Sequence, residues 1–217
     1  MNIFEISEQA IPFLIRGLGV TVYISLISAI FAIIIGIIGG ICKISKIFLI
    51  RWITIIYVDV FRGTPFLIQL YIAYYVLPSF GIRLNALTAA VGMLAIYNGA
   101  YITEIVRSGI EAIPKEQFEA SFSLGMTPYQ TFKLIIFPQV MRIVIPPLVG
   151  RLILLIKGTS VASLIGVFDL VKIGRELAIA LRHNPIVIYS LVSLFYFIIC
   201  YPLYTLSIKI EKKLRLH

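Results

Sequence analysis

Residues 17–42 read GLGVTVYISLISAIFAIIIGIIGGIC, and no side chain between Arg16 and Lys43 carries a charge. A helix needs about 20 apolar residues to cross the hydrocarbon core of a membrane. Uncharged runs of similar length follow at 63–82, 84–103 and 184–208. Hydrophobic residues make up 60% of the 217 positions and charged residues 13%, whereas a soluble domain carries about 25% charge. The chain is therefore an integral membrane protein by composition, and a soluble protein with one large core is disfavoured.

We predict an all-α helical bundle that forms a single membrane domain over residues 1–217. The predicted spanning helices are five, at about 18–42, 53–77, 86–107, 141–166 and 186–208. Arg151 and Lys157 interrupt the fourth apolar segment. Because a charge inside a membrane is costly, this segment is either shielded by its neighbours or lines a polar path.

The net charge of +9 raises the question of a nucleic-acid partner. Its positive residues instead flank the apolar runs, which indicates contact with membrane lipid and no nucleic acid. If the C-terminus is inside, the inner side carries Lys43, Lys46, Arg51, Arg107, Lys115, Lys133, Arg142, Lys209, Lys212, Lys213 and Arg215. The outer side then carries Arg16, Arg83, Lys172, Arg175 and Arg182. The positive-inside rule predicts an external N-terminus and a cytoplasmic C-terminus.

The longest polar stretch, about residues 107–141, then lies in the cytoplasm. Pro114 precedes a segment with helical spacing of apolar residues, Gly125 can end that helix, and Pro128 can start the next. We predict two short helices along the membrane surface with a bend near Gly125. A bend of this kind indicates a docking element, and a connector without a partner is the alternative.

The same loop resembles one shared by the permease subunits of binding-protein-dependent ABC importers. The residues that carry the resemblance are Glu119, Ala120 and Ser121, then Gly125, Ile135 and Pro138. Three further segments are similar to the polar-amino-acid branch of that family, the histidine, glutamine and arginine type. These are residues 61–65 with Gln69, residues 98–115, and residues 157–160. Ser121, Glu116, Phe137, Gly150 and Gly158 depart from the residues usual in the family.

The resemblance implies a bacterial plasma-membrane permease that works as a dimer, with a second copy or a close homologue. It also implies a coupling loop at about 111–138 that docks on a separate ATPase subunit through the six residues above. An external binding protein would deliver the amino acid. The chain lacks the phosphate-binding pattern of Gly, four residues, Gly-Lys and Ser or Thr. We therefore expect no enzyme activity, no metal site and no cofactor in this chain, with ATP and Mg²⁺ bound by the partner.

Polar side chains within the predicted spans are candidates for a substrate path. They are Asp59, Arg62, Thr64, Gln69, Asn98, Tyr101, Glu104, Lys157 and Ser160. An amino-acid zwitterion needs a carboxylate for its ammonium group and a cation for its own carboxylate. Asp59 or Glu104 can serve the first need, and Arg62 or Lys157 the second. A carboxylate without a basic neighbour would favour arginine, lysine or histidine over glutamine as the substrate.

Three alternatives remain open at this point. The pairs Asp59–Arg62 and Glu104–Arg107 are each three residues apart, so each pair can neutralise itself on one helix face. An ion- or proton-coupled secondary amino-acid transporter, with Asp59 or Glu104 as the relay, would run without ATP. A membrane adaptor would need only the surface loop, but it would give no reason for Arg62 and Lys157 inside the membrane.

Overall fold

The computed structural model describes residues 3–180 and 185–215, and over these residues the chain is almost entirely helical with no strand. The predicted all-α class is therefore confirmed. Arg182 and the side chain of Arg215, both used in the charge count, lie outside the described residues. The α-helices are α1 (Ile3–Lys43), α2 (Phe48–Gly63), α3 (Phe66–Tyr71), α4 (Ala86–Glu111), α5 (Lys115–Ser123), α6 (Pro128–Gln130), α7 (Phe137–Gly158), α8 (Leu170–Ala180) and α9 (Pro185–Arg215).

Four continuous helical stretches in the described residues are long and apolar enough to cross a membrane: Ser7–Lys43, Ala86–Glu111, Pro128–Ile165 and Pro185–Lys213. A fifth crossing is built from two pieces, Phe48–Gly63 and Phe66–Phe80, which meet at an angle of 106°. The prediction of five spans is confirmed when this bent pair counts as one span.

The second span, predicted at about 53–77, consists of two helices that meet at a bend. Thr64 is extended, with φ −119° and ψ 148°, directly before Pro65. Proline has no N–H to donate, and its ring keeps the preceding residue out of the helical region. Helix α2 therefore ends at Gly63, and a new helix begins after Pro65.

Two further elements differ from the prediction: the start of α1 and the short helix α8. Helix α1 begins well before residue 18, because Ala10 and Leu14 are buried in a cluster with residues of α8 and α9. Helix α8 was not predicted at all. It is short and amphipathic, and the side chain of Asp169 caps its first turn by accepting from the N–H of Lys172 at 2.9 Å.

The prediction for the surface loop is confirmed for its first helix and for the bend at Gly125, but it is wrong for the second helix. Helix α5 ends in a turn where Gly125 adopts φ +75°, and Thr127 caps the next helix at Pro128 in a reciprocal pair with Gln130. That next helix is not a separate surface helix, because it continues into the fourth span. A π-helical turn at Thr131–Ile136 precedes Pro138. The wider turn accommodates a residue that cannot donate a backbone hydrogen bond.

Helix α4 lies in the middle of the bundle, with α1 packed closely along it. A Cβ atom at Gly36 would collide with Ile102, and one at Gly40 would collide with Val106. These glycines allow the two helix backbones to approach. Helix α4 thereby brings its polar side chains, Tyr97 to Arg107, against α1, α2 and α7.

Candidate functional site

A cavity of about 640 Å³ opens between α2, α4, α7 and α9, a volume typical of small-molecule sites. We call it the arginine pocket, because Arg62 and Arg151 both line it. Tyr101 and Glu104 of α4 form one wall, and Gly150 and Leu154 belong to the wall from α7. Three of the nine predicted path residues, Arg62, Tyr101 and Glu104, are thus brought together.

Glu104 is the anionic centre of an ion cluster beside this pocket. One carboxylate oxygen pairs with Lys43 at the end of α1, and the other accepts from Nε and Nη2 of Arg107 at 3.1 and 2.9 Å. Nη1 of Arg62 lies 3.7 Å from the same second oxygen. We call Lys43, Arg62, Glu104 and Arg107 the Glu104 cluster. It joins α1, α2 and α4 and carries more positive than negative charge.

Arg151 is the residue of the pocket that the sequence analysis left out of the predicted path. Its guanidinium carbon lies 3.6 Å from the ring centroid of Tyr101 and 5.1 Å from that of Tyr97. Arg62 approaches the same Tyr101 ring, at 5.1 Å. Arg151 forms no salt bridge within residues 3–180 and 185–215, and its Nε is buried without a hydrogen-bond partner. Its position inside the fourth span was the available signal, because an intramembrane arginine is a functional candidate by default.

The aromatic rings keep the two guanidinium groups in the pocket without neutralising them. Cation–π contacts stabilise a cation by about 0.5–2 kcal/mol and add no negative charge. Glu104 is already held by Lys43 and Arg107, so the surplus charge of the pocket is positive. The pocket is therefore suited to a carboxylate.

The predicted pair Asp59–Arg62 does not form in the described structure, whereas the pair Glu104–Arg107 does. Asp59 is exposed on α2, does not line the arginine pocket, and has no salt bridge among the described residues. Arg62, three residues later, faces Glu104 instead. A carboxylate without a basic partner is thus present, at a different place from the pocket.

Thr64, Gln69 and Asn98 also lie outside the pocket. The Nε2 of Gln69 donates to the carbonyl oxygens of Phe61 and Thr64 and to the hydroxyl of Thr64, at 2.7–3.1 Å. This one amide therefore ties the two halves of the bent span together. Asn98 is buried, and its Nδ2 donates to the carbonyl of Leu94 at 2.8 Å.

Lys157 and Ser160 line a different cavity, of about 460 Å³, between α7, α8 and α9. Tyr196 and Cys200 form its opposite wall. Five of the nine predicted path residues are thus divided between two cavities, and of these two cavities the arginine pocket is the one that contains an anionic side chain as well as cations.

The predicted coupling residues lie together at the end of the bundle where residues 112–127 connect α4 to α6, which we call the loop end. Glu119 and Ala120 are exposed on α5, whereas Ser121 is buried and its hydroxyl donates to the carbonyl of Gln117. Ile135 and Pro138 follow on the continuous helix. Exposed apolar side chains surround them, namely Phe122, Leu124 and Tyr129.

A buried carboxylate that the sequence analysis did not single out lies outside the spans. Asp169 is fully buried, and its Oδ2 has no hydrogen-bond partner. Burial raises the pKa of Asp169 from 3.8 to about 6, against the opposing effect of the backbone N–H groups at the start of α8. The hydroxyl of Thr21 on α1 accepts from the N–H of Leu170 at 3.1 Å, so α1 fixes this end of α8.

Comparison with known proteins agrees with this architecture. A family model described as binding-protein-dependent transport system inner membrane component matches residues 32–215. The L-cystine transport system permease protein TcyB of Bacillus subtilis (strain 168) is 37% identical over 203 residues, which cover 94% of this chain and 87% of TcyB. The arginine transport system permease protein ArtQ of the same strain is 35% identical over 217 residues, 99% of each chain.

Among solved structures, a crystal structure of an amino acid ABC transporter with histidines has a TM-score of 0.89 and 30% identity. The match covers 98% of this chain and 99% of that one. These similarities extend over nearly the whole chain and include proteins named as amino-acid permeases. The chain belongs to the family of inner membrane components of binding-protein-dependent transport systems, and within it to the amino-acid ABC transporter permeases.

Proposed function

We propose that this permease imports a polar L-amino acid by alternating access, driven by a separate ATPase, with the arginine pocket as its substrate site. The observation that carries the proposal is the pair of guanidinium groups around the ring of Tyr101: Arg151 has no salt bridge in the described structure, and Arg62 has only a long contact of 3.7 Å with Glu104. Two fixed guanidinium groups are costly inside a membrane and bind a carboxylate well. Every amino-acid substrate supplies that carboxylate.

The energy would come from a partner at the loop end. Helix α5 and the turn at Gly125 present a carboxylate, Glu119, beside the exposed side chains of Phe122 and Leu124. A mixed charged and apolar surface of this kind suits a groove on an ATPase subunit, which would bind ATP and Mg²⁺. This chain would hold no cofactor.

The assembly that we propose has two permease chains, identical or closely related, since an ATPase pair presents two grooves. An external amino-acid-binding protein would deliver the substrate to the other end of the bundle. The loop end would face the cytoplasm and the N-terminus the outside, as the positive-inside rule indicates.

A basic amino acid, arginine, lysine or histidine, is one candidate substrate class, which the sequence favours over glutamine. Asp59 is the acidic group that would meet a cationic side chain, outside the arginine pocket, because this exposed carboxylate does not line the pocket and has no salt bridge in the described structure. The relative ArtQ is named for arginine transport.

A substrate with two carboxylates, such as cystine, is the second candidate class. Arg151 supports it, since the pocket holds one guanidinium group more than a single carboxylate requires. The relative TcyB is named for L-cystine transport. Competition among substrates separates the two classes.

The test is uptake of radiolabelled amino acids into proteoliposomes that contain this chain, its ATPase and its external binding protein. Arginine, lysine, histidine, glutamine and cystine are compared, with ATP placed on either side of the membrane. We expect uptake only when ATP is on the loop side. Uptake that follows an ion gradient without ATP would overturn the proposal in favour of the secondary transporter.

Gly125→Asp is the uncoupled variant in the same assay. Gly125 adopts φ +75°, a conformation that aspartate tolerates better than most side chains, so the variant chiefly adds a negative charge to the turn of the loop end. We expect uptake to be lost while the chain still inserts and assembles as a permease dimer. Wild-type uptake by Gly125→Asp would exclude the turn from coupling.

A further inference from the structure

Arg62 occupies a position that links the arginine pocket to the bend in the second span. It belongs to the last turn of α2, and the extended residue Thr64 follows two positions later. Its side chain reaches across to α4, where it meets Glu104 and the ring of Tyr101. A movement of this side chain therefore acts directly on the end of α2.

Arg62 is also the loosest member of the Glu104 cluster. Arg107 contacts the Glu104 carboxylate through two hydrogen bonds, whereas the 3.7 Å between Arg62 and Glu104 is too long for one. The Arg62 side chain is 41% exposed, against 15% for Lys43 and 28% for Arg107. Glu104 keeps two cations if Arg62 leaves, so neither the carboxylate nor its remaining partners become isolated charges.

We infer that Glu104 is a positioning residue for Arg62: it holds Arg62 in the empty transporter, and a substrate carboxylate takes Arg62 from it. The exchange replaces one carboxylate partner of Arg62 by another, so it costs little Coulomb energy. A bidentate pair with the substrate is stronger than the present long contact. This inference rests on the proposed function, since it requires the arginine pocket to bind the substrate.

The exchange would remove the ion-pair contact between Arg62 in the last turn of α2 and α4, while the hydroxyl of Tyr57, five residues earlier, still donates to the carbonyl of Ile96 on α4 at 2.6 Å. The three hydrogen bonds from Gln69 keep the two halves of the span together but do not join α2 to α4. A Cβ atom at Gly63 would meet no other atom within 4 Å, so there is free space around the backbone next to Arg62. Substrate binding then favours a second arrangement of the bend, because only in that arrangement does Arg62 contact the substrate fully.

The experiment measures ATP hydrolysis by the complete transporter in proteoliposomes, with and without binding protein loaded with L-arginine, L-glutamine or L-cystine. Glu104→Gln removes the charge that holds Arg62 and preserves the side-chain shape. We expect its substrate-free rate to rise by roughly fivefold or more, the lower end for coupling between two sites. The ratio of stimulated to substrate-free rate then falls toward one.

Lys43→Gln is the matched control, because Lys43 contacts the other oxygen of Glu104 and does not touch Arg62. Its loss makes Glu104 more available to Arg62, so the substrate-free rate should stay at or below the wild-type rate. Opposite effects of the two substitutions support the inference. If both variants raise the rate alike, Glu104 serves only the packing of the helices, and the inference is wrong.

Arg62→Gln provides a second measurement that does not depend on the folding of Glu104→Gln. It should also raise the substrate-free rate of ATP hydrolysis. The double variant Arg62→Gln/Glu104→Gln should have a rate no higher than either single variant, because both substitutions remove the same contact. Additive effects would overturn the inference. If the wild-type transporter is stimulated by none of these three amino acids and by neither L-lysine nor L-histidine, the proposed function itself fails.

Discussion

Glu104 and Asp169 are two acidic side chains in the same bundle with opposite surroundings. Glu104 is 16% exposed, borders a cavity, and is approached by three cations from three helices. Asp169 is fully buried and forms no salt bridge among the described residues, and its one hydrogen-bonded oxygen accepts from the backbone of its own helix. The first carboxylate can change partners, whereas the second is fixed.

The difference shows that one bundle can hold a carboxylate whose ion-pair partners can be exchanged, Glu104, and a carboxylate that is fixed where α8 begins, Asp169. Ion pairs beside a cavity exchange at little cost, since one charged partner can replace another. A buried carboxylate held by a helix N-terminus has no substitute partner, so its desolvation becomes a permanent cost to stability. Substitutions near Glu104 should therefore change transport, and substitutions near Asp169 should change stability.

The largest expected effect is that of Arg151→Met. The substitution removes a charged hydrogen-bonding group from the arginine pocket, a loss of about 1.5–3 kcal/mol, or roughly tenfold to hundredfold in apparent affinity. The thermal stability should be almost unchanged, since a cation without a salt bridge also costs free energy to bury. Uptake measured as a function of substrate concentration gives the affinity.

Arg151→Lys is the control for Arg151→Met. It keeps the charge but loses the planar fork that binds a carboxylate through two hydrogen bonds. We expect an intermediate affinity. If Arg151→Met takes up substrate with wild-type affinity, the arginine pocket is not the substrate site, and the contrast with Asp169 disappears.

Asp169→Asn should have the next largest effect, on stability alone. Asparagine keeps an oxygen for the N–H of Lys172 but cannot ionise. Since burial raises the pKa of Asp169 from 3.8 to about 6, the contribution of this group to stability is most favourable below about pH 4 and is lost as the pH rises through about 6. The variant avoids this loss, which is about 2–3 kcal/mol.

The measurement is the unfolding temperature of wild type and Asp169→Asn at pH 5 and pH 8. We expect the variant to be more stable by about 4–10 °C at pH 8 and by about half as much at pH 5. Its uptake should match the wild type. An equal difference at both pH values would show that ionisation of Asp169 is not the source.

The smallest effect is expected for Thr21→Val, which preserves shape but removes the acceptor for the N–H of Leu170. A buried donor without a partner costs about 1–2 kcal/mol. The loss of unfolding free energy should be the same at pH 5 and pH 8, whereas the effect of Asp169→Asn should depend on pH. Thr21→Ser keeps the hydroxyl and should remain close to wild type, and a loss equal to that of Thr21→Val would point to the methyl group instead.

Local signals in the sequence were sufficient for most of the fold. The uncharged runs predicted the spans, and Gly125 followed by Pro128 predicted the bend at the loop end. Two errors came from contacts between distant segments. Helix α1 extends toward its N-terminus because Leu14 packs on α8 and α9, and α8 forms although it is too short to be seen as a span.

The site was less predictable, because its members come from four helices. Spacing along one helix suggested the pair Asp59–Arg62, yet the 106° bend and the closeness of α4 give Arg62 the partner Glu104 instead. Lys157 and Ser160 were grouped with Arg62 because all lie inside spans. They line a different cavity, between α7, α8 and α9, and the sequence pattern of a single helix does not indicate which neighbouring helices its side chains face.

The fourth span, Pro128–Ile165, is helical along its whole length and starts at the turn of the loop end, with a π-helical turn at Thr131–Ile136 and Pro146 and Pro147 within it. Arg151 lies 23 residues along it, roughly 35 Å from Pro128 at 1.5 Å per residue. A linker between the turn and the pocket would absorb a small displacement, whereas an unbroken helix delivers it. If the proposed docking tilts this helix at Pro128 by a few degrees, the guanidinium group of Arg151 shifts relative to the arginine pocket, so the proposed docking and the proposed substrate binding would act on the same helix.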